Sequence, residues 1–291
     1  MSRSDVRPTP LPVQRSKGRP HKQLELNWPL LKDFLIAFLR DEVQRRKGFD
    51  KVVVALSGGV DSAVTCALAA EAFGAAQVHA LLLPYRSSSP DASAHAQLLV
   101  EQLGVQSETI DISAAVDGYA ASVPSMTPHR KGNLMSRVRM MIGFDKSAEY
   151  HALPLGTGNK TERLLGYYTW HGDDAPPVNP LGDLFKSQVW ALARYLAVPE
   201  VIINKPASAD LIPGQSDESD LGISYARADL ILLHHLAGYD DAYIISLGVS
   251  AQDVALVKAK VAATHWKRDL PITAMVSGTA INEFYLRPVD Y

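Results

Sequence analysis

Lys51-Val-Val-Val-Ala-Leu-Ser-Gly-Gly-Val-Asp-Ser62 is the stretch that decides the fold. Its first six residues form a short, β-branched run that reads as a buried strand. The run passes directly into a turn with paired glycines, and residues 63–73 then read as a helix of Ala, Leu and Val stopped by Gly74. Strand, glycine turn and helix in this order bring backbone N–H groups and the positive helix end to one point, with no Cβ in the way. That arrangement is a phosphate cradle. It is not a Walker A loop, because the Lys-Ser/Thr pair is missing, and it is not G-x-G-x-x-G. An aspartate inside the cradle repels phosphate unless a divalent cation lies between them, so Asp61 predicts bridging Mg2+.

Outward from this unit the pattern repeats. Residues 78–83, 108–112 and 152–155 read as strands, and 94–103, 133–150 and 161–168 as helices, with Gly104 closing the first of these. Upstream, Trp28, Leu31, Leu35, Phe38 and Leu39 recur at helical spacing. The alternation predicts an α/β fold: a doubly wound, mostly parallel sheet flanked by helices, with right-handed crossovers and ligands at the carboxyl ends of the strands. The part beyond about residue 183 reads as helical, over 183–196, 225–237 and 250–263, with Ser250 as an N-cap. Residues 1–23 carry Arg3, Arg7, Arg15, Lys17, Arg19 and Lys22 against the single acid Asp5, with Pro8, Pro10, Pro12 and Pro20 interrupting any ladder. They read as a flexible basic tail ahead of one domain over 24–291.

Composition narrows the function classes. The chain of 291 residues is 47% hydrophobic, enough to bury a large core, and Lys+Arg 29 against Asp+Glu 31 leaves a net charge of −2. That balance gives no whole-chain reason to expect a nucleic-acid or membrane partner. The lone Cys66 excludes an internal disulfide framework and a Cys-rich metal site within one chain, and reads as core filler. No apolar run approaches the ~18 residues of a membrane span. The basic N-terminus lacks the apolar core of a signal peptide, so a cytoplasmic location is expected.

Ser57-Gly-Gly-Val-Asp-Ser62 resembles the PP-loop of the ATP pyrophosphatases, which cleave ATP to AMP and pyrophosphate on an adenine nucleotide alpha hydrolase-like fold. Later segments narrow the resemblance. Leu155-Gly-Thr-Gly-Asn-Lys-Thr-Glu162, Leu165-Gly-Tyr-Tyr-Thr169, Asn179-Pro-Leu-Gly-Asp183, Lys186-Ser-Gln188, Ala207-Ser-Ala-Asp-Leu211, Gly214-Gln-Ser-Asp-Glu218 and Leu221-Gly-Ile-Ser-Tyr225 resemble, in order and spacing, the NAD synthetases. The resemblance implies ATP-dependent amidation of nicotinic acid adenine dinucleotide (deamido-NAD) to NAD, through an adenylated carboxylate. Glutamine-dependent members carry a long N-terminal amidase domain. Only a short tail and a helix precede the loop here, so ammonia is the expected nitrogen source. The family also implies a homodimer.

The resemblance carries roles residue by residue. Ser57, Gly58, Gly59, Asp61 and Ser62 match the phosphate loop, and Thr157, Lys186 and Ser208 match ATP contacts. Glu162 matches a carboxylate that shares Mg2+ with Asp61, although an acid in a first helical turn also suits the helix dipole. Lys186 sits early in a helix, where a cation is locally disfavoured, and a phosphate partner explains it. Arg86 follows the second strand, where it meets nucleotide or remains a surface arginine. Arg137 matches the arginine that holds the acid substrate, whereas Arg139 faces elsewhere on the helix. The polar loop 206–222 reads as a lid. Ammonium must lose a proton before attack, and Asp217 of that loop or Asp173 is the expected acceptor; a solvated acidic loop reads the same way.

Some positions depart from the family pattern. Thr169-Trp-His-Gly-Asp173 stands where many members have Thr-Lys-Tyr-Gly-Asp, Pro177 lies near a lost substrate aspartate, and Trp266-Lys-Arg268 replaces His-Lys-Arg while retaining Lys267. Trp170 then either stacks on a base or pyridine ring of the dinucleotide or packs a helix end or dimer interface. A tRNA-modifying ATP pyrophosphatase, or a PP-loop ligase acting on another acid, is the competing class. The lone cysteine and the lack of an RNA-binding domain weigh against the former.

Overall fold

The computed structural model describes residues 24–269 apart from 212, 213 and 215, together with 273, 274 and 276. The basic tail expected over 1–23 lies outside the described residues. In chain order the elements are α1 (Trp28–Leu39), β1 (Lys51–Ala55), α2 (Val60–Phe73), β2 (Val78–Leu82), α3 (Pro90–Leu103), β3 (Gln106–Thr109), α4 (Ser113–Ala121), α5 (Pro128–Tyr150) and β4 (Ala152–Leu155). The helical remainder is α6 (Lys160–Leu165), α7 (Lys186–Tyr195), α8 (Glu200–Ile203), α9 (Asp217–Leu221), α10 (Tyr225–Leu236), α11 (Asp241–Ser246) and α12 (Ala251–Ala263). A π-helical segment, Arg40–Arg46, continues α1. Among the described residues no helix is long and apolar enough to cross a membrane.

The strands form one parallel sheet in the order β3-β2-β1-β4. The chain steps outward from β1 through β2 to β3 and then returns to the other side of β1 for β4. The order therefore reverses between β1 and β4, where ligands of open α/β sheets bind. Both faces of the sheet are covered, which is why β1 is a continuous Val run rather than an alternating one. Val52 and Val54 pack with Leu39 of α1, Leu68 of α2 and Leu192 of α7, whereas Val53 packs with Val116 of α4 and Met135 and Val138 of α5. A further core, of Leu165, Phe185, Tyr225, Ile231 and Val257, joins α6, α10 and α12 beyond the sheet.

Several boundaries differ from expectation, each for a physical reason. The third strand is Gln106–Thr109 rather than 108–112: its pattern is polar because it is an edge strand, and the apolar Ile110 and Ile112 bond onward to Leu82 and Pro84. Helix α5 begins at Pro128, five residues before the expected 133, because Thr127 caps it through the Arg130 N–H and Pro128 takes the first position. Helix α6 stops at Leu165 because Gly166 adopts φ 69°. Helix α7 starts at Lys186 instead of residue 183, and α9 forms inside the expected loop 206–222.

Candidate active site

The turn after β1 is built as a cradle. Gly58 has φ +74°, and a Cβ there would lie 2.1 Å from the Ala92 carbonyl oxygen, so both conformation and space demand glycine. The turn also ties itself together. Ser62 Oγ donates to the Gly59 carbonyl at 3.0 Å and accepts from the Ser57 N–H at 3.2 Å, while Ser57 Oγ accepts from the Gly59 N–H at 3.3 Å. Helix α2 follows at once with Asp61 in its first turn.

Asp61 meets residues brought from α6 and α7. The Lys186 ammonium pairs with Asp61 Oδ2 and lies 3.2 Å from Glu162 Oε1. The Lys186 side chain is 3% exposed and its two partners 17% each, so the triad sits largely out of water. Asn159, fully buried, donates its side-chain amide to Asp61 Oδ1 at 2.9 Å. The same Asn159 caps α6: its Oδ1 accepts from the Glu162 N–H at 3.0 Å, and its own N–H donates to Glu162 Oε2 at 3.1 Å. Both carboxylates are thereby held by one asparagine and one lysine.

Burial is the dominant electrostatic influence. It raises the Glu162 carboxyl above its ordinary range, with Lys186 opposing and the Asp61 charge adding. For Lys186 burial alone would lower the pKa, but Asp61 and Glu162 together raise it, so the ammonium stays charged. Asp217 is buried beside the triad and is also pushed up by desolvation, against Lys186 and the Tyr225 hydroxyl, which donates to Asp217 Oδ2 at 3.0 Å. Asp217 Oδ1 has no hydrogen-bond partner among the described residues.

A cavity of about 920 Å³ opens over the carboxyl ends of β1, β2 and β4. Of the residues expected at the site, Ser57, Gly59, Asp61, Ser62, Thr157, Glu162, Lys186, Ser208 and Asp217 line it together with Arg137, Trp170, Asp173 and Lys267. Arg137 donates to the Trp170 carbonyl at 3.1 Å and 3.3 Å. Trp170 lies against His171, with ring centres 4.1 Å apart, and edge-on to Trp266 at 5.4 Å. Asp173 is exposed at the cavity wall, yet the protein packed around its carboxyl pushes its pKa up by desolvation, and it is held by the Thr169 N–H and the Ser136 hydroxyl, each at 2.9 Å.

Two expected contacts are engaged elsewhere. Arg86 is not among the cavity residues, and its guanidinium pairs with Asp117. Lys267 lines the cavity, but its ammonium donates to the Gly166 and Tyr168 carbonyls at 2.8 Å and 2.7 Å. Arg139, expected to face away, reaches the same cavity and donates to the Leu83 carbonyl at 3.0 Å. Sequence reasoning missed Asn159, although Asn-x-x-Glu before a helix is a readable capping box.

The comparisons with known proteins agree with this geometry. The model of the NAD synthase family matches residues 32–271. An NH3-dependent NAD+ synthetase of Chlorobium phaeobacteroides is 49% identical over 255 residues, covering 87% of this chain and 92% of the relative. One from Trichlorobacter lovleyi is 45% identical over 270 residues, covering 92% and 98%. Among solved structures, the NMN synthetase from Francisella tularensis superposes with a TM-score of 0.77 at 33% identity, over 86% of this chain and 99% of that one. The NH3-dependent NAD synthetase from Campylobacter jejuni gives 0.74 at 28% identity, over 86% and 100%. A glycine cradle, a lysine bridging carboxylates from α2 and α6, and matches that run almost the length of these proteins converge on one statement: the chain belongs to the NAD synthase family.

Proposed function

We propose that this protein converts deamido-NAD to NAD with ammonia, using ATP. A carboxylate is a poor electrophile. Its oxygen attacks the α-phosphorus of ATP, pyrophosphate leaves toward the cradle, and ammonia then displaces AMP from the acyl adenylate to give the amide. The observation that carries this reading is the convergence of Asp61 and Glu162 on Lys186 in a cavity floored by the glycine turn. An ammonium so placed serves the phosphates, and Ser57, Ser62, Thr157 and Ser208 supply hydroxyls around them.

The residues also fit Mg2+. Asp61 and Glu162 share a single ammonium, and Oδ1 of the neighbouring Asp217 is unsatisfied. Among the described residues no group of three or more His, Cys, Asp or Glu side chains forms a complete metal site, so Asp61 and Glu162 would hold the ion jointly with phosphate oxygens. An ion held by these two carboxylates would neutralise charge on the departing pyrophosphate. The proton of ammonium passes to Asp173 or Asp217, whose raised pKa values make them better bases than an ordinary carboxylate. Arg137 and Trp170 hold the acid substrate. We further place the activity in one domain over 24–291 of a cytoplasmic homodimer.

The test is to incubate purified protein with ATP, Mg2+, ammonium and deamido-NAD. AMP, pyrophosphate and NAD are expected, and ADP in place of AMP would refute the adenylation. The Trp170–Trp266 pair stands where substrate contacts depart from the family pattern, and one structural neighbour is an NMN synthetase. Nicotinic acid mononucleotide is therefore offered in parallel. Preference for it would move the substrate to the shorter acid while leaving the chemistry unchanged.

A further inference from the structure

Glu162 and Lys186 stand in the first turns of α6 and α7, so their 3.2 Å contact depends on how those two helix starts are held. The start of α7 is unusual. Its N-cap is Phe185, which has no side-chain acceptor for the free N–H groups of the first turn. Thr161 Oγ1 accepts instead from the Lys186 N–H at 3.0 Å, and Asp229 Oδ2 accepts from the Ser187 N–H at 2.8 Å. Thr161 and Asp229 are joined in turn, because the threonine hydroxyl donates to Asp229 Oδ1 at 2.5 Å.

Asp229 lies on α10 and is fully buried. It is absent from the cavity wall, so it cannot act by touching substrate. Capping alone does not account for it: a serine or asparagine at position 185 would accept from the Ser187 N–H that Asp229 serves, without burying a carboxylate. What the carboxylate adds is a link across elements, tying α7 to Thr161, the residue next to Glu162.

We propose that Asp229 is a positioning residue of the ATP end of the site, which holds Glu162 and Lys186 in mutual register through Thr161 and the first turn of α7. This rests on the reading above, in which Lys186 and Glu162 serve the phosphates. Misplacing a catalytic group by about 1 Å costs on the order of 10²-fold in rate. A loosened register therefore acts on ATP binding and turnover rather than on recognition of the acid.

The test uses the full chain and three variants: Thr161→Val, which removes the hydroxyl and keeps the shape; Thr161→Ser, which keeps the hydroxyl; and Asp229→Asn. Binding of Mg2+-ATP by calorimetry, kcat, KM for deamido-NAD and melting temperature are measured. Thr161→Val and Asp229→Asn are expected to weaken ATP binding and lower kcat by tenfold or more, with KM for the acid within threefold of wild type. Thr161→Ser should restore both to within threefold. A lowered melting temperature with ATP binding and kcat unchanged would overturn the proposal and leave Asp229 a packing residue. If Asp229→Asn does not fold, the Thr161 pair decides. Wild-type protein that binds ATP but never forms the amide would mark failure of the functional reading instead, and the ATP-binding comparison would still judge Asp229.

Discussion

Asn159 donates its side-chain amide to Asp61 across 98 residues of chain, at 2.9 Å. The same side chain caps the helix that carries Glu162. One residue therefore sets the position of both carboxylates, and a loop at the end of β4 is coupled to the turn at the end of β1. The parallel pairing of Val54 with Leu155 brings those two strand ends side by side.

Asn159→Ala should reveal both tasks separately. Losing the cap costs about 1 kcal/mol of stability, read by denaturant unfolding. Freeing Asp61 Oδ1 should raise the Mg2+ concentration needed for half-maximal activity by roughly tenfold, as for other groups that orient metal-binding side chains. A stability loss with unaltered Mg2+ dependence would limit Asn159 to capping.

Asp61→Asn and Glu162→Gln should each abolish most AMP formation while leaving the fold intact. In the proposed reaction each removes one hard oxygen ligand from the pair that would face the departing pyrophosphate. Neither leaves a buried charge stranded, because Lys186 keeps its other carboxylate. Turnover within twofold of wild type in either variant, measured at saturating ATP and Mg2+, would refute the shared role.

How much of this is legible in the sequence depends on the range over which each feature is specified. The cradle is local: β-branched strand, paired glycines and helix lie within one stretch, and Gly58 and Asp61 stand where that pattern places them. The all-parallel sheet follows from the same alternation. The edge strand lies at Gln106–Thr109 rather than 108–112 because its Gln106-Ser-Glu-Thr109 pattern has no apolar face to read, whereas Ile110 and Ile112 just beyond it do carry an apolar signal. The cap of α7 is beyond local reading altogether. Phe185 offers no capping signal, and its substitutes lie 25 residues upstream at Thr161 and 42 residues downstream at Asp229, counted from Lys186 and Ser187 respectively. Arg86 is read from its place after the second strand and Lys267 from the resemblance, and the partners Asp117, Gly166 and Tyr168 that engage them are visible only in three dimensions.

Cys66 gives a pH-dependent prediction. Burial in α2 pushes its thiol from 9.0 up to about 12. The neutral thiol therefore contributes stability that is fully present below pH 9.0 and is lost as pH rises toward 12, since only the unfolded chain releases its proton in that window. Compared with Cys66→Ala, the wild type should lose about 1.4 kcal/mol of relative stability per pH unit above the unfolded pKa. Urea unfolding of both proteins between pH 7 and about pH 10.5 checks this; a constant difference across the range would show that the thiol is not held neutral.

Trp170 tests the substrate end of the cavity. Its indole is 36% exposed, contacts His171 and Trp266, and lines the cavity beside Arg137, so it is not sealed within a core. Arg137 is held by the main-chain carbonyl of Trp170, and Trp170→Ala leaves that carbonyl in place. The substitution therefore removes the ring without releasing the arginine. If the ring stacks on a base or pyridine of the acid substrate, it contributes roughly 1–3 kcal/mol to binding, by analogy with base–aromatic contacts. Since 1.4 kcal/mol is one decade, KM for the acid should rise about tenfold or more while KM for ATP stays within twofold. Initial rates with each substrate varied in turn separate the two constants. A lower melting temperature with both constants unaltered would assign Trp170 to packing against Trp266 instead.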